Sequence, residues 1–372
     1  MTKDIGSELC DTILDAIPAS TGGGSVAFRI TGGGSKHFLG REVAGTPLST
    51  ADHEGIISYE PKELFITARC GTRLTRIEQT LAEHGQLLPF EPPHFDPAAT
   101  LGGTVATGLS GPRRPYAGAV RDLVMGVRLI NGRGEVLRFG GEVMKNVAGY
   151  DLSRLMTGAM GCLGLILEAS LKVIPAPDAE LTLVREHAFQ EAIEHMNTWA
   201  GRPLPLSGAC CDGERLYVRL SGANSAVRAA REKLGGEVLE DGHRFWSDLR
   251  EQRHPFFAGE DGPLWRLAVP PATPFRPLAT ELKGRWLLEW GGGQRWLRPD
   301  AQVDAIQAAT EVDMIRSAVQ DAGGHATLFR GGDRTGEVFH PLPPILAKLH
   351  RRLKAAFDPH RLFNPGRLYP RL

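Results

Sequence analysis

Four glycine clusters between residues 32 and 164 constrain this chain more than any other feature: Gly32-Gly33-Gly34-Ser35-Lys36, Thr100-Leu101-Gly102-Gly103-Thr104, Gly108-Leu109-Ser110-Gly111 and the run from Gly158 to Gly164. Backbone without side chains can turn tightly, and it lets a phosphate or a flat ring approach its amides. Consecutive amides of this kind form concave anion sites. Two readings are open: ordinary turns, or the walls of one dinucleotide site. A single cluster favours the turn. Four of them, set among alternating strand and helix patterns, favour a bound dinucleotide. The chain contains neither G-x-G-x-x-G nor G-x-x-x-x-G-K-[ST], so the Rossmann fingerprint and the P-loop are excluded.

The chain has 372 residues, which suggests two domains. Lys plus Arg number 43 and Asp plus Glu number 43, which argues against a dominant nucleic-acid or anionic-membrane surface and leaves room only for a local patch. The five cysteines, Cys10, Cys70, Cys162, Cys210 and Cys211, form no C-x-x-C, so no metal or iron–sulfur site is expected. Their odd, scattered count fits a cytoplasmic chain with free buried thiols. No apolar run approaches the roughly 18 residues of a membrane span, and the first 17 residues lack a secretory signal pattern.

Along the chain, residues 4–17 read as an amphipathic helix, with Leu9, Ile13, Leu14 and Ile17 on one stripe. Thr21-Gly-Gly-Gly-Ser25 reads as a flexible connection and Thr31-Gly-Gly-Gly-Ser35 as a tight turn after the strand Val26–Ile30. Residues 63–72 alternate as a half-buried strand. Leu74, Ile77 and Leu81 then continue at helical spacing, with Thr72 as the expected N-cap and Gly85 beyond the end. Asn131-Gly132-Arg133-Gly134 between two apolar runs predicts a hairpin. Composition shifts at Pro175-Ala-Pro177, towards longer helices and most of the tryptophans. A basic helix, Ile345–Phe357, precedes the turn formers Asp358-Pro359 and Asn364-Pro365-Gly366.

With these residues in hand, the chain resembles the vanillyl-alcohol-oxidase-type, or PCMH-type, FAD-binding proteins. The triple glycine after a short strand is similar to that family's pyrophosphate loop. Pro92-Pro93 with Ala99-Thr100-Leu101-Gly102-Gly103 is similar to its second FAD segment, and Thr157-Gly158 through Gly161-Cys162-Leu163-Gly164-Leu165-Ile166 to its third. Phe357-Asp358-Pro359 with Phe363-Asn364-Pro365-Gly366 resembles its C-terminal signature. Glu91-Pro92-Pro93-His94, Gly108 to Pro115, Arg138 to Met156 and Gly323-Gly324-His325-Ala326-Thr327 narrow the resemblance to one branch, the FAD-binding E subunits of bacterial glycolate oxidases.

The resemblance implies an α+β fold: a two-lobed PCMH-type FAD-binding domain (1–175) and an antiparallel-sheet cap domain (176–340). A tail (341–372) returns to the FAD domain. It implies non-covalent FAD, held at Gly32, Gly33, Gly34, Ser35, Lys36, Pro93, Thr100, Gly102, Gly103, Gly108, Ser110, Gly158, Gly161, Gly164 and Ile166. It also implies an oxidoreductase acting on glycolate or another small 2-hydroxy acid. The partners implied are a homologous FAD-containing catalytic subunit and an iron–sulfur subunit. The location implied is cytoplasmic, touching the inner membrane only peripherally through that complex.

Some wider relatives tether FAD to a histidine near His37, but the tether position here holds Gly34 or Ser35, so no covalent link is expected. Lys145 and Tyr150 are candidates beside the flavin, with Asp151 and Arg154 either holding that loop or starting a surface helix. Catalytic relatives carry a His-x-Gly-Asp-Gly-Asn-x-His run. Here His325 opens Ala-Thr-Leu-Phe-Arg-Gly, and Gly332 stands where the second histidine is expected. His325 and Arg330 remain as a candidate catalytic pair, and autonomous oxidation is in doubt. Trp246, Trp265, Trp286, Trp290 and Trp296 either form a binding hot spot or fill the core of a sheet-rich cap.

Overall fold

A computed structural model describes residues 3–17, 26–141, 151–259, 262–300 and 305–372. The chain divides into two compact units. The first holds residues up to Ser110, Gly118–Ala176 and Arg334–Leu372; the second holds Gly111–Ala117 and Pro177–Asp333. Two stretches depart from the sequence-based division. Residues 111–117 join the second unit because Arg113 donates to Glu180 at 2.8 Å and the Trp290 indole donates to the Gly111 carbonyl at 3.1 Å. Residues 334–340 join the first because the Arg334 and Arg41 side chains reach across to the Gly40 and Gly336 carbonyls.

The first unit is built on a five-stranded antiparallel sheet in the order Ile56–Glu60, Phe65–Arg69, Leu165–Lys172, Val124–Ile130, Val136–Gly140. The central strand Leu165–Lys172 is buried for seven of its eight residues, and its two buried polar side chains are partnered, Glu168 by Arg128 at 2.7 Å and Ser170 by Thr67 at 2.8 Å. Helix Leu74–Ala82 packs Leu74, Ile77 and Leu81, all fully buried, into the core beside this sheet. Its N-cap is Arg73, not Thr72, whose hydroxyl instead accepts from the Gly55 amide at 2.8 Å. The hairpin forms as the sequence indicates, and the Asn131 side-chain oxygen accepts from the Arg133 and Glu135 amides at 2.9 and 3.0 Å.

A small parallel pair, Phe28–Thr31 with Thr46–Ser49, stands apart from the main sheet. The C-terminal tail runs alongside it. The Phe28 amide donates to Leu362 at 2.6 Å, and the Asn364 amide donates to Phe28 at 2.9 Å. The tail is pinned by a buried ion pair: Lys354 Nζ reaches Asp358 at 2.7 Å and also donates to the Cys162 and Phe363 carbonyls. Asp358 in turn accepts from the Leu362 and Phe363 amides at 2.9 Å. Every polar atom of this pair has a partner, the condition under which a buried ion pair is tolerated.

The second unit is an eight-stranded sheet, antiparallel throughout, in the order Glu237–Val238, Ala179–Glu186, Arg215–Gly222, Leu206–Cys211, Gly284–Glu289, Gln294–Pro299, Leu264–Ala268, His325–Arg330. Helices Phe189–Ala200 and Asn224–Leu234 cover one face through Ile193, Met196, Trp199, Val227 and Leu234. The five tryptophans of residues 246–296 are all buried, so the core reading accounts for them. Trp290 also lies under two guanidinium groups, Arg114 at 4.4 Å and Arg266 at 5.0 Å.

Candidate functional site

Strand Phe28–Thr31 delivers the chain into Gly32-Gly33-Gly34-Ser35, and a cleft opens along this turn. Gly34 has φ +76°, a conformation that costs other residues strain. Gly33 is needed for a different reason. A Cβ there would sit 1.6 Å from the Ala98 carbonyl oxygen, so the loop packs backbone against backbone on the segment preceding Thr100. At Gly32 a Cβ would meet the Thr100 hydroxyl at 2.4 Å. The triple glycine therefore brings two loops together as well as leaving room for a ligand.

Thr100 caps helix Leu101–Thr107, its hydroxyl accepting from the Gly103 amide at 3.3 Å. Gly102 lies over Cys70, where a Cβ would approach the Cys70 Cβ to 2.7 Å. Gly161, at φ +70°, faces the Asn364 side chain, and Gly164 faces the Ile130 carbonyl. The cleft is lined by Gly32, Gly33, Gly34, Ser35, Lys36, Thr100, Gly102, Gly103, Gly161, Gly164 and Ile166. Segments separated by more than 50 residues of sequence thus converge on one site.

The remaining sequence candidates lie elsewhere, for local reasons. Gly108, at φ +66°, ends helix Leu101–Thr107. The Ser110 hydroxyl accepts from the Val120 amide at 3.1 Å, and Pro93 is buried beside His94, whose carbonyl accepts from Lys36. Gly158 lines a separate hollow with Arg121, Arg154 and His350. Lys145 and Tyr150 fall outside the described residues. Asp151 and Arg154 form a surface helix start: the Asp151 carboxylate accepts from the Arg154 amide and pairs with its guanidinium at 2.8 Å.

His325 and Arg330 do not form a catalytic pair. They stand at opposite ends of one strand, paired with Ala268 and Leu264 respectively. Four residues lie between them, and five strand rises set them about 17 Å apart, too far to act on one bond.

The sequence reading missed several residues that line the cleft, Arg29, Asn364 and Arg367 among them. Asn364 accepts from the Ile30 amide at 2.8 Å and donates to the Met160 carbonyl at 2.7 Å, tying the tail to both glycine segments. Arg367 donates to the His37 and Arg41 carbonyls, holding the loop that follows the triple glycine. Its pKa is lowered, mainly by burial. Arg29 lines the cleft half-buried and, among the described residues, makes no side-chain hydrogen bond or ion pair. Asn364 belongs to the C-terminal signature, which was the available signal; Arg367 follows just after it, and nothing in the sequence marked it or Arg29.

The cleft's chemistry fits a dinucleotide. Three permanent cations, Arg29, Lys36 and Arg367, line it, and no carboxylate does. The amides of Gly33, Gly34 and Ser35 donate to no backbone carbonyl among the described residues. Amides with no backbone partner beside three cations suit a diphosphate.

Comparison with known proteins agrees. Residues 22–140 match the FAD binding domain family model. Across 343 residues the chain is 50% identical to the glycolate oxidase subunit GlcE of Escherichia coli, covering 92% of this chain and 93% of that one. The chain belongs to the GlcE family. Its cofactor is FAD. A shorter stretch of 129 residues is 32% identical to glycolate oxidase subunit GlcD of Bacillus subtilis and covers 27% of that protein. Another, of 140 residues, is 34% identical to D-lactate dehydrogenase of Anaerostipes hadrus and covers 29% of it. Among solved structures, alkyldihydroxyacetonephosphate synthase superposes with a TM-score of 0.68 at 16% identity, over 98% of this chain and 75% of that one. That likeness shows a shared α+β fold.

Proposed function

We propose that this chain is an FAD-carrying subunit of a multi-subunit glycolate oxidase and takes part in oxidising glycolate to glyoxylate. The observation that carries the reading is the end-to-end 50% identity with a glycolate oxidase subunit. The cleft described above supports the cofactor's position. Arg29, Lys36, Arg367 and the amides of Gly33, Gly34 and Ser35 would hold the diphosphate, while Gly103, Gly164 and Ile166 leave space along its path. FAD binds here without a covalent link, because no histidine stands at the tether position; the His37 ring is exposed and turned onto its own loop, with Nδ1 2.8 Å from the Gly34 oxygen. When bound, the flavin supplies the two-electron redox chemistry, and the protein supplies binding and orientation.

Two features of the chain favour a supporting or relaying role. The Asp-Gly-Asn and second histidine of catalytic relatives are missing, and His325 and Arg330 are held apart by the strand between them. A positioned acid–base group is worth about 10²–10⁴ in rate, so the hydroxyl proton is taken by a homologous FAD subunit with the full histidine set. An iron–sulfur subunit carries electrons onward, and any membrane contact is peripheral; no described helix is long and apolar enough to cross a bilayer.

The test is anaerobic mixing of glycolate with the flavin-loaded single chain and, separately, with the chain co-purified with its partner subunits. Slow or absent bleaching of the single chain's flavin, with fast bleaching in the complex, is expected. Complete bleaching of the single chain within seconds would show a self-sufficient active site.

A further inference from the structure

The C-terminal helix, Pro344–Phe357, carries a feature that flavin binding leaves unused. Its inner side is fixed: Lys354 is buried in the ion pair with Asp358, and Leu353 and Phe357 pack on the core of the first unit. Its outer side begins with three aliphatic residues in the open, Ile345 at 83% exposure, Leu349 at 48% and Leu346 at 43%. Ile345, Leu349, Arg352 and Ala356 follow at helical spacing and form one exposed stripe, about half a turn round from Lys354. Lys348 and Arg351 stand exposed along its edge. The helix contains four basic residues and no acidic one. Residues 341–372 hold seven basic residues against one acid, Asp358, which is already neutralised by Lys354, in a chain whose formal charge is zero.

We propose that this helix docks flat on an anionic lipid surface. Ile345, Leu346 and Leu349 would enter the headgroup boundary while Lys348, Arg351 and Arg352 reach anionic phosphates, as interfacial basic amphipathic helices do. Charge decides the occupant. A helix face with cations and aliphatics and no acid on the helix complements an anionic leaflet in both charge and apolar character. The inference deepens the proposed peripheral membrane contact and rests on it, moving that contact onto a named element of this chain.

The full-length, FAD-loaded chain is to be sedimented with vesicles of equimolar phosphatidylcholine and phosphatidylglycerol, and with vesicles of phosphatidylcholine alone. Binding to the anionic vesicles only, weakened by salt, is expected. Each cation near the surface is worth about a fivefold change in partitioning, so the K348Q/R351Q/R352Q variant should bind roughly a hundredfold more weakly. Ile345→Ser with Leu349→Ser should also lose binding at low salt. All five side chains are exposed, so flavin content and melting temperature of both variants should match the parent. Equal binding to neutral vesicles, or parental binding by either variant, overturns the proposal. If the isolated chain ignores anionic vesicles while the assembled enzyme sediments with native membranes, the helix assignment fails and peripheral contact stands. If the assembled enzyme also stays in solution, both fail. Loss of partner co-purification in the variants without any vesicle binding would assign the stripe to a protein instead.

Discussion

Replacing Gly33 with alanine tests how the cofactor loop is built. The new Cβ would lie 1.6 Å from the Ala98 carbonyl oxygen, whereas real Cβ contacts stay beyond about 3.0 Å, so the two backbones must separate by about 1.4 Å. The Ala98 segment is not free to move. Its amide donates to the Asp96 carboxylate at 2.7 Å, and the neighbouring Ala99 carbonyl accepts from Leu74 at 2.9 Å. Forced overpacking costs about 1–3 kcal/mol, and releasing one of those bonds costs about 1 more. The expected loss is therefore about 2–4 kcal/mol, or roughly 5–10 °C for a cooperative unit of this size. The melt must be run on apoprotein, since lost FAD would lower the midpoint by linkage alone. Gly103→Ala is the matched control. Its Cβ meets only the Thr100 hydroxyl, at 3.4 Å, and alanine suits a helix. Its apoprotein should melt with the parent while FAD binding weakens, because Gly103 lines the cleft. A G33A apoprotein that melts with the parent would refute the close-packed loop.

Arg29→Gln should weaken FAD binding about ten- to a hundredfold, the range for one charge-assisted hydrogen bond, and leave riboflavin binding unchanged in a fluorescence titration, because riboflavin lacks the diphosphate. Lys354→Met should lower stability by about 3–5 kcal/mol by stranding the buried Asp358 carboxylate, read from the urea midpoint. Burial raises the thiol pKa of Cys70, of Cys210, of Cys162 to about 11 and of Cys211 to about 12, so a disulfide reagent at mildly alkaline pH should label Cys10 in the folded protein and the other four only after unfolding. Burial also holds the His53 pKa below its ordinary 6.5. His53 therefore contributes stability that is full above that value and lost as pH falls towards the folded pKa, and His53→Gln should flatten the acid limb of a urea-midpoint profile.

Local chemistry was legible where one segment decides its own conformation. The hairpin at Asn131–Gly134, the turn at Gly32–Gly34 and the helix 344–357 follow from side chains and glycines within a few residues of one another. The cleft was legible where glycine marks close approach, as at Gly102, Gly161 and Gly164. It was not legible where tertiary contact assigns the role. Arg29 is an ordinary strand residue until the tail, more than 330 positions away, sets Arg367 beside the same cleft. Gly108 and Gly158 carry the same glycine signal as Gly102, yet the structure gives them to a helix end and to another hollow. His325 and Arg330 looked paired on paper because spacing along the chain says nothing about a strand holding them at its two ends. Strand order in the eight-stranded sheet, with 325–330 beside 264–268, likewise depends on packing across distant segments.

The proposed cofactor site requires that this chain alone hold one FAD at the triple-glycine cleft, without a covalent bond. The direct measurement is the flavin content of the purified single chain, followed by acid precipitation and identification of the released cofactor. One FAD per chain is expected, all of it in the supernatant, with a colourless protein pellet. A flavin that stays with the pellet, or a folded chain that takes up FMN and not FAD, would contradict it.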